Sequence, residues 1–432
     1  MGGSRSGEIR IRRFLNNPKV TPAEMFATAV AHTLTRVQER HILVIQDTTS
    51  LRDDGRKKSL QLHPAIAIEA GSGALLGLVY ATLLRRDGTP QPHCNKRPLA
   101  EKESRRWVDV LTEAGRVRAA GAARATAIGD CENDLYEAFA CSPEGVDVLV
   151  RAHHDRVLAA EPPPPRRKGR GRGGAAASSP PTPPPVRLFT CLDEVPELGR
   201  ETIVLPASST RAQRTVTLAL RARRVSIQRP KRNHPAAAAQ LPPSVSLSFV
   251  EAREVDPPPG VEPVHWRLLT THRVETLADA QRITGYYRER WTIEQLFRVM
   301  KTQGFNIEAV RMQAEAAFEN LAAATLIAAI AVQQMLRDRD GQAQRPAEDL
   351  FDPAEQPAIQ AICHSLEGKT PRQKNPHPRG SLASVTWLCA RLGGWTGYYG
   401  KPGPIVLLRG YQRLRTMLQA WQIALHDPGR DV

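Results

Sequence analysis

Two short apolar runs that end in aspartate stand out in the first third of the chain. HILVIQD covers residues 41–47 and ARATAIGD covers residues 123–130. An unbroken aliphatic run bounded by turn-forming residues is typical of a strand buried on both faces. Between them, LHPAIAIEA and GALLGLVYATLL flank a Gly-Ser-Gly and predict antiparallel strands. The pattern predicts a sheet with Asp47 and Asp130 at two strand ends.

The rest of the chain alternates between helical and strand-like periods. EKESRRWVDVLTEAGRVRAA has helical spacing, and VDVLVRAH predicts a strand that ends at Arg151. From residue 186 to about 271 the alternation predicts strands at VRLFT, RETIVLPAS, RTVTLALRARRVSI and HWRLLTT. Residues 277–336 are predicted to be helical, and the last part predicts two helices around a Gly/Pro turn.

GYYRERWTIEQLFRVMKTQG, residues 285–304, is predicted to be one amphipathic helix. At about 100° per residue its apolar residues form a core face. A polar stripe lies beside that face, and it consists of Tyr287, Arg290, Glu294, Arg298 and Lys301. Periodicity alone is compatible with a salt-bridged solvated face and with the edge of an active site.

The composition of the chain indicates a polyanionic partner. Lys and Arg total 60 against 44 Asp and Glu, which gives a net charge of +16. A chain this basic favours nucleic acid first, although a proteome rich in Arg and Ala is an alternative cause. Residues 161–185 are dominated by proline and arginine and cannot form a packed element, so they predict a disordered basic loop. That loop could follow phosphates or be an inert linker.

Other classes of protein are disfavoured. The six cysteines are scattered without a CxxC pair, which argues against a zinc finger and a disulfide framework and fits the cytoplasm. The first residues lack the apolar stretch of a signal peptide. The most apolar run, residues 321–332, is too short to span a bilayer, so no membrane association is expected.

Three carboxylates can meet if both strand ends and the later helix share one edge of the sheet. Asp47, Asp130 and Glu294 would then offer the hard oxygen ligands that suit Mg²⁺, with Mn²⁺ also possible. Such a site serves phosphodiester cleavage, and the neighbouring cations would hold DNA phosphates. Taken singly, Asp47 before TTS also fits an Asx turn, and Asp130 before CEN fits a helix N-cap.

These residues resemble the DDE transposases of the bacterial insertion-sequence-four family, a cut-and-paste group that forms hairpins. The resemblance lies in IQDTTSL, in IGDCENDLYEA and in the Tyr-x2-Arg-x3-Glu-x6-Lys spacing that begins at Tyr287. HWRLLTT, ARLGGW, PGPIVLLRGYQRL and EKES add to it, and it covers the chain from RRFLNNPKVTPAEM to about Trp421, except for the Pro/Arg loop.

The resemblance implies an α/β (α+β) fold, with an RNase H-like catalytic core interrupted by a β-rich insertion. Residues 41–155 and 276–340 would form the two parts of the core, and residues 156–275 the insertion with its loop at 161–185. Residues 341–432 would be a helical dimerisation region. Residues 1–40 would be a truncated remnant of the domain that binds the transposon end.

It also implies roles for individual residues. Asp47, Asp130 and Glu294 would be both the catalytic residues and the metal ligands. The residues that contact the transposon end would be Tyr287, Arg290, Arg298, Lys301, Trp266, Arg151 and Arg13. Among these, Trp266 would stack on a base flipped near the cleaved end, whereas outside the family it fits a core aromatic of a strand equally well. Arg151 alone would be a surface cation.

The implied activity is metal-dependent cleavage at transposon ends, followed by hairpin formation and strand transfer. The partners would be double-stranded DNA, comprising the inverted repeats and the target, and a second protomer in a synaptic homodimer, with no small-molecule substrate. The location would be the bacterial cytoplasm, at the nucleoid. Because family members usually carry about fifty more residues before RFLNNP, the alternative is a non-mobile copy that binds DNA or dimerises and inhibits the full-length enzyme.

Overall fold

The computed structural model describes residues 5–53, 58–89, 97–159, 186–205, 213–230 and 241–425. The Pro/Arg loop predicted at residues 161–185 lies outside these described residues.

The ten described strands belong to a single sheet. Their bounds are β1 His41–Gln46, β2 Thr49–Asp53, β3 Lys58–Glu69, β4 Leu75–Asp87, β5 Arg124–Gly129, β6 Val146–Arg151, β7 Gly199–Leu205, β8 Arg214–Gln228, β9 Ser244–Glu254 and β10 His265–Thr270. The strand order is β2, β3, β1, β5, β6, β10, β9, β8, β7, and β4 pairs with the other edge of β3.

The α-helices surround this sheet. Their bounds are α1 Arg5–Leu15, α2 Pro22–Leu34, α3 Arg105–Ala119, α4 Tyr136–Ala140, α5 Leu277–Arg288, α6 Trp291–Lys301, α7 Glu315–Asp338, α8 Gln356–Leu366, α9 Leu382–Leu392 and α10 Pro404–Leu425. The predicted α/β class is confirmed in this form, a mixed sheet with packed helices.

Strand β1 lies between β3 and β5 in the sheet and is buried on both faces. Because successive side chains of a strand point to opposite faces, β1 serves two cores. Ile42 and Val44 belong to the core that α3 covers. Leu43 and Ile45 belong to the larger core shared with α5, α6 and α7. This two-sided burial explains why the sequence of β1 shows a continuous apolar run instead of an alternation.

The predicted meander and the two strand ends are present. β1 pairs with β3 antiparallel, and β3 pairs with β4 antiparallel. β1, β5 and β6 are parallel to one another. Parallel strands end at the same edge of a sheet, so the residues that follow β1 and β5 are brought together.

The strands β7–β10 extend this sheet and do not form a separate one. β10 pairs antiparallel with β6, with Leu268 opposite Arg151, and β9, β8 and β7 follow in antiparallel order. The backbone ladder therefore links the residues at the end of β6 directly to the middle of β10.

Three details differ from the sequence-based expectations. Residues 285–304 are not one helix, because α5 ends at Arg288 and α6 begins at Trp291. Residues 186–190 form turns with an isolated bridge at Arg187 instead of a strand. Strand β9, which no prediction included, fills the position between β8 and β10.

Helix α7 is longer than the apolar run from which it was predicted. Its 24 residues make it long and apolar enough to cross a membrane, yet 67% of its most apolar window is buried inside the protein. Burial of this kind is typical of the central helix of a packed core.

The two predicted C-terminal helices, α9 and α10, pack closely across the Gly/Pro turn. Gly410 of α10 lies so near α9 that a Cβ atom there would overlap the carbonyl oxygen of Cys389. A glycine inside a helix permits this backbone approach at the expense of helix propensity.

Candidate active site

Asp47 directly follows β1 and is mostly buried, with 17% of its side chain exposed. The backbone N–H of Thr48 donates to its Oδ1 at 2.7 Å, so a local turn contact fixes one carboxylate oxygen. The other oxygen, Oδ2, accepts from Arg290 at 3.1 Å. The local turn expected from the sequence is therefore present together with a long-range contact, and the two interpretations do not exclude each other.

Asp130 directly follows β5, at the same level of the sheet as Asp47. Ile45 is paired with Ile128, and the same parallel register continued by two residues brings Asp47 level with Asp130. Oδ1 of Asp130 accepts from the backbone N–H of Glu132 at 2.9 Å, which caps a short 3₁₀ helix at residues 131–133. The N-cap predicted from the sequence is thus real, and it holds the carboxylate at the sheet edge.

Glu294 reaches this edge from α6 and is joined to Asp47 through Arg290. The guanidinium of Arg290 donates to Oε1 of Glu294 at 2.6 Å and to Asp47. Its side chain is only 13% exposed. One buried cation therefore bridges two carboxylates that come from distant parts of the chain.

Tyr287 does not share the predicted polar stripe because the chain tightens between α5 and α6, whereas Arg290 and Glu294 still lie on one face. The N–H groups of Arg290, Thr292 and Ile293 each bond to the carbonyl three residues earlier, as in a 3₁₀ helix. A 3₁₀ helix turns by about 120° per residue. Angular positions calculated at about 100° per residue from Tyr287 are therefore incorrect beyond this turn. Tyr287 is consequently a core residue, whereas Glu294 remains partly exposed.

The charges of the neighbouring carboxylates act on Asp47. The pKa of Asp47 is raised to about 6, first by burial and then by the negative charge of Asp130, with a smaller contribution from Glu294. Arg290 and the Thr48 N–H act in the opposite direction. A site that crowds like charges in this way is relieved by a bound cation, and at present Arg290 supplies that positive charge.

The donor chemistry fits Mg²⁺ or Mn²⁺, since all three side chains are carboxylates. The arrangement is nevertheless not that of a closed metal site. In the described part of the chain no group of three or more His, Cys, Asp or Glu side chains is placed to hold a metal ion. Because Arg290 lies between Asp47 and Glu294, metal binding by both would require its guanidinium to move aside.

Tyr287 and Trp266 form an aromatic pair next to this site. Tyr287 is 4% exposed, and its ring packs edge-to-face with Trp266 at a centroid distance of 5.8 Å. Burial raises the pKa of Tyr287, while Arg290 and Arg151 oppose that shift. Tyr287 therefore exposes almost none of its surface to a ligand, whereas Trp266 is only partly buried.

The other basic residues expected to bind DNA are more dispersed. Arg151 is exposed at the end of β6 and donates to the carbonyl of His265 at 3.4 Å. Lys301 at the end of α6 pairs with Glu308 at 2.7 Å, and Arg298 is half-buried on the same helix. Arg13 is exposed on α1, a helix that packs on α7, and lies outside this cluster.

A cleft of about 880 Å³ opens beside the carboxylates. Trp266, Tyr286 and Trp291 provide its aromatic lining. Arginines outnumber acids in its walls, and among those arginines are Arg151, Arg288, Arg337 and Arg339. The three carboxylates do not line it themselves, since the cleft follows the flank of α6 that bears Thr292 and Gln295. Its chemistry suits a polyanion with aromatic bases.

A buried network behind the two aspartates was missed in the sequence. Arg106, 9% exposed on α3, donates to Oγ1 of Thr48 at 3.1 Å and to Glu132 at 3.1 Å. The Thr48 hydroxyl also contacts Nδ1 of the fully buried His63 at 2.9 Å. Arg106 thus ties the loop after β1 to the loop after β5. The available signal was an arginine on the apolar face of α3, next to Trp107.

Asp134, only four residues after Asp130, has a structural role. Its side chain is fully buried and accepts from Arg156 at 2.6 Å and from the backbone N–H groups of His153 and His154. It anchors the chain that leaves β6. Of the two aspartates in GDCEND, only Asp130 therefore faces the carboxylate site.

Residues 144–331 match the family model of the transposase DDE domain. The match begins just before β6, includes Trp266 and the whole of α6 with Glu294, and ends within α7. Asp47 and Asp130 precede it. The match supports a DDE transposase, and with it DNA as the substrate and DNA-strand cleavage as the type of reaction. It does not favour the non-catalytic inhibitor.

Proposed function

We propose that this chain is a DDE transposase that cuts at transposon ends by a cut-and-paste mechanism of the insertion-sequence-four type, with Asp47, Asp130 and Glu294 as its acidic residues. The observation that carries the proposal is the Asp47–Arg290–Glu294 bridge, level with Asp130 at one sheet edge. Three carboxylates crowded in a chain of net charge +16 match the needs of phosphodiester chemistry.

The topology supports an RNase H-like core with a β-rich insertion. Strands β4, β3, β1, β5 and β6 follow the order expected of such a core, with three antiparallel strands next to two parallel ones. Strands β7–β10 lie between the second aspartate and Glu294 in sequence, as the resemblance implies for the insertion.

Asp47, Asp130 and Glu294 are the residues that would hold Mg²⁺ or Mn²⁺. When bound, such ions activate the attacking oxygen and stabilise the leaving one. Arg290 keeps Asp47 and Glu294 neutralised in the absence of DNA, and together with Arg298 and Lys301 it contacts phosphates of the transposon end. Arg151 lines the cleft and serves the same purpose, and Arg13 contacts the end from α1.

Trp266 is proposed to stack on a base displaced near the cut. Its partly free ring lines the cleft, and Tyr287 supports it from behind. Displacing that base allows the freed 3′-hydroxyl to attack the opposite strand and form a hairpin, which precedes strand transfer to the target. The C-terminal helices would mediate a homodimer that joins two ends, at the nucleoid of a bacterial cytoplasm.

The test is cleavage by the variant Glu294→Gln, which keeps the shape of the side chain and removes its charge. The substrate is labelled duplex DNA from the repeats that flank the gene, with Mg²⁺ or Mn²⁺. We expect cleavage to be lost while DNA affinity changes little. Glu113→Gln serves as the control, because Glu113 forms an ion pair with Arg116 on α3 and is not one of the three carboxylates. Cleavage at the normal rate by Glu294→Gln would overturn the assignment.

Two further variants separate the remaining roles. Lys301→Ala should weaken DNA binding and reduce the slope of log affinity against log salt by about one unit. Trp266→Ala should leave nicking intact and lower the hairpin yield. An unchanged salt slope would remove Lys301 from the phosphate contacts, and a normal hairpin yield would remove the stacking role of Trp266.

A further inference from the structure

We propose that the loop of residues 393–403, here named the tyrosine loop, is a second DNA-contacting surface that receives the duplex where it leaves the cleft. The proposal rests on the proposed function for the identity of the DNA. Its evidence, however, comes from a part of the chain that contributes no residue to the carboxylate site.

The tyrosine loop presents aromatic rings that the fold does not use. Tyr399 is 86% exposed, the largest value among the exposed large hydrophobic side chains of the described residues, and its neighbour Tyr398 is 51% exposed. Burial of such rings stabilises a fold, so leaving two of them adjacent and in water serves no folding purpose. Exposed aromatic side chains among cations are typical of nucleic-acid contacts.

Hydrogen bonds brace the backbone of the loop that carries these rings. Nη1 of Arg391 donates to the carbonyls of Trp395 at 3.2 Å and Thr396 at 2.7 Å. Nε1 of Trp395 donates across the loop to the carbonyl of Gly400 at 3.0 Å. Gly397 has a φ of 87° and lies against the carbonyl of Arg372. A loop that is braced in this way loses little entropy when a ligand binds.

Cations surround the loop. A pocket of about 380 Å³ beside it is lined by Arg339, Arg372, Lys374 and Lys401, with Asp340 as the one acid in its lining. Lys401 pairs with Asp340 at 2.6 Å but is still 61% exposed. The excess of positive charge in this lining suits a ligand that carries phosphates. It is poorly suited to an apolar ligand, and the lining offers little negative charge for a cation.

The pocket and the cleft beside the candidate active site share one lining residue, Arg339. Nη1 of Arg339 donates to the carbonyl of Pro402 at the end of the loop at 3.2 Å. Pro404, two residues further on, lines the cleft. DNA held in the cleft can therefore run over Arg339 onto the tyrosine loop, where cations meet its phosphates and the rings pack on sugars and exposed bases.

Fluorescence anisotropy can test the surface with one duplex of about forty base pairs that extends to both sides of the expected cut. For Tyr398→Ala/Tyr399→Ala we expect affinity to fall about tenfold. Tyr398→Phe/Tyr399→Phe keeps both rings and should retain most of the affinity. Lys401→Gln should lower the salt slope by about one unit, whereas Arg116→Gln, an exposed charge on α3, should not.

The possible outcomes are distinct. Unchanged affinity of the alanine double variant would overturn the inference, because both side chains are exposed and their removal leaves the core intact. An altered oligomeric state in light scattering, with normal DNA affinity, would also overturn it by making the loop a protein contact. Failure of the wild-type protein to cleave the duplex would count against the proposed function, while the affinity comparison would still decide the role of the loop.

Discussion

Arg106 provides the sharpest test of how the site is held together. Its side chain bonds not to the three carboxylates but to Thr48, the neighbour of Asp47, and to Glu132, two residues after Asp130. We therefore expect Arg106→Ala to act as a positioning defect. The loops after β1 and β5 would lose their common hydrogen-bond partner, and the two aspartate side chains would be held less firmly in their orientation.

The size of the effect follows from the three partners of Arg106. The contact with Glu132 contributes little, because that carboxylate is 62% exposed. The donations to the Thr48 hydroxyl at 3.1 Å and to the Glu103 carbonyl at 2.8 Å come from a buried charged group, and each is worth about 1.5–3 kcal/mol. Since water can reach Glu103 after truncation, we expect a total loss of about 2–4 kcal/mol of unfolding free energy.

The assay combines thermal unfolding with single-turnover cleavage and DNA binding. Arg106→Ala should lower the cleavage rate about 10–100-fold, the size expected when support behind the proposed metal ligands is lost, with DNA affinity unchanged. Arg105→Ala is the matched control, because its side chain is 56% exposed and pairs only with Asp109, worth about 0.3–0.5 kcal/mol. A normal melting temperature and a normal rate for Arg106→Ala would refute the anchoring role.

Three other predictions concern the fold. Gly410→Ala should lower the unfolding free energy by about 3 kcal/mol or more, because the added Cβ overlaps the Cys389 carbonyl, and a normal thermal midpoint would contradict the α9–α10 packing. Gly285→Ala in α5, where an added Cβ meets nothing within 4 Å, should raise the unfolding free energy by about 0.5–1 kcal/mol. A lower thermal midpoint for this variant would contradict the open space around Gly285. Burial lowers the pKa of His272 to about 4, so the unfolded state binds more protons between about pH 6.5 and 4. The unfolding free energy should therefore decrease as the pH is lowered through that window, by at most about 1.4 kcal/mol per pH unit. His272→Gln should make this pH dependence weaker, and equal slopes in both proteins would rule out the role of His272.

The sequence was most informative where burial is complete. β1 and β5 are buried on both faces, so their apolar runs stand out, and the aspartates that follow them mark the sheet edge. The apolar face of α6 was predicted for the same reason, and Ile293, Leu296 and Met300 are indeed fully buried.

Long-range pairing explains most of what the sequence did not reveal. No periodicity shows that Arg290 bonds to Asp47, because the contact joins residues more than two hundred positions apart. The 3₁₀ turn before α6 also changes the angle per residue, so the position of Tyr287 relative to the polar stripe could not be calculated from an ideal α-helix. Strand β9 was missed because its serines interrupt the apolar pattern, although it is paired on both sides within the sheet.

The assembly of the site from three separate segments also sets when it can first exist during protein synthesis. A ribosome completes β1 and β5 early, but Glu294 follows only after β10 has been made, and β10 must pair with β6 in the same sheet. Contacts between distant segments form late in folding. A chain that has not yet been extended beyond Glu294 therefore lacks the third carboxylate and cannot assemble the carboxylate site.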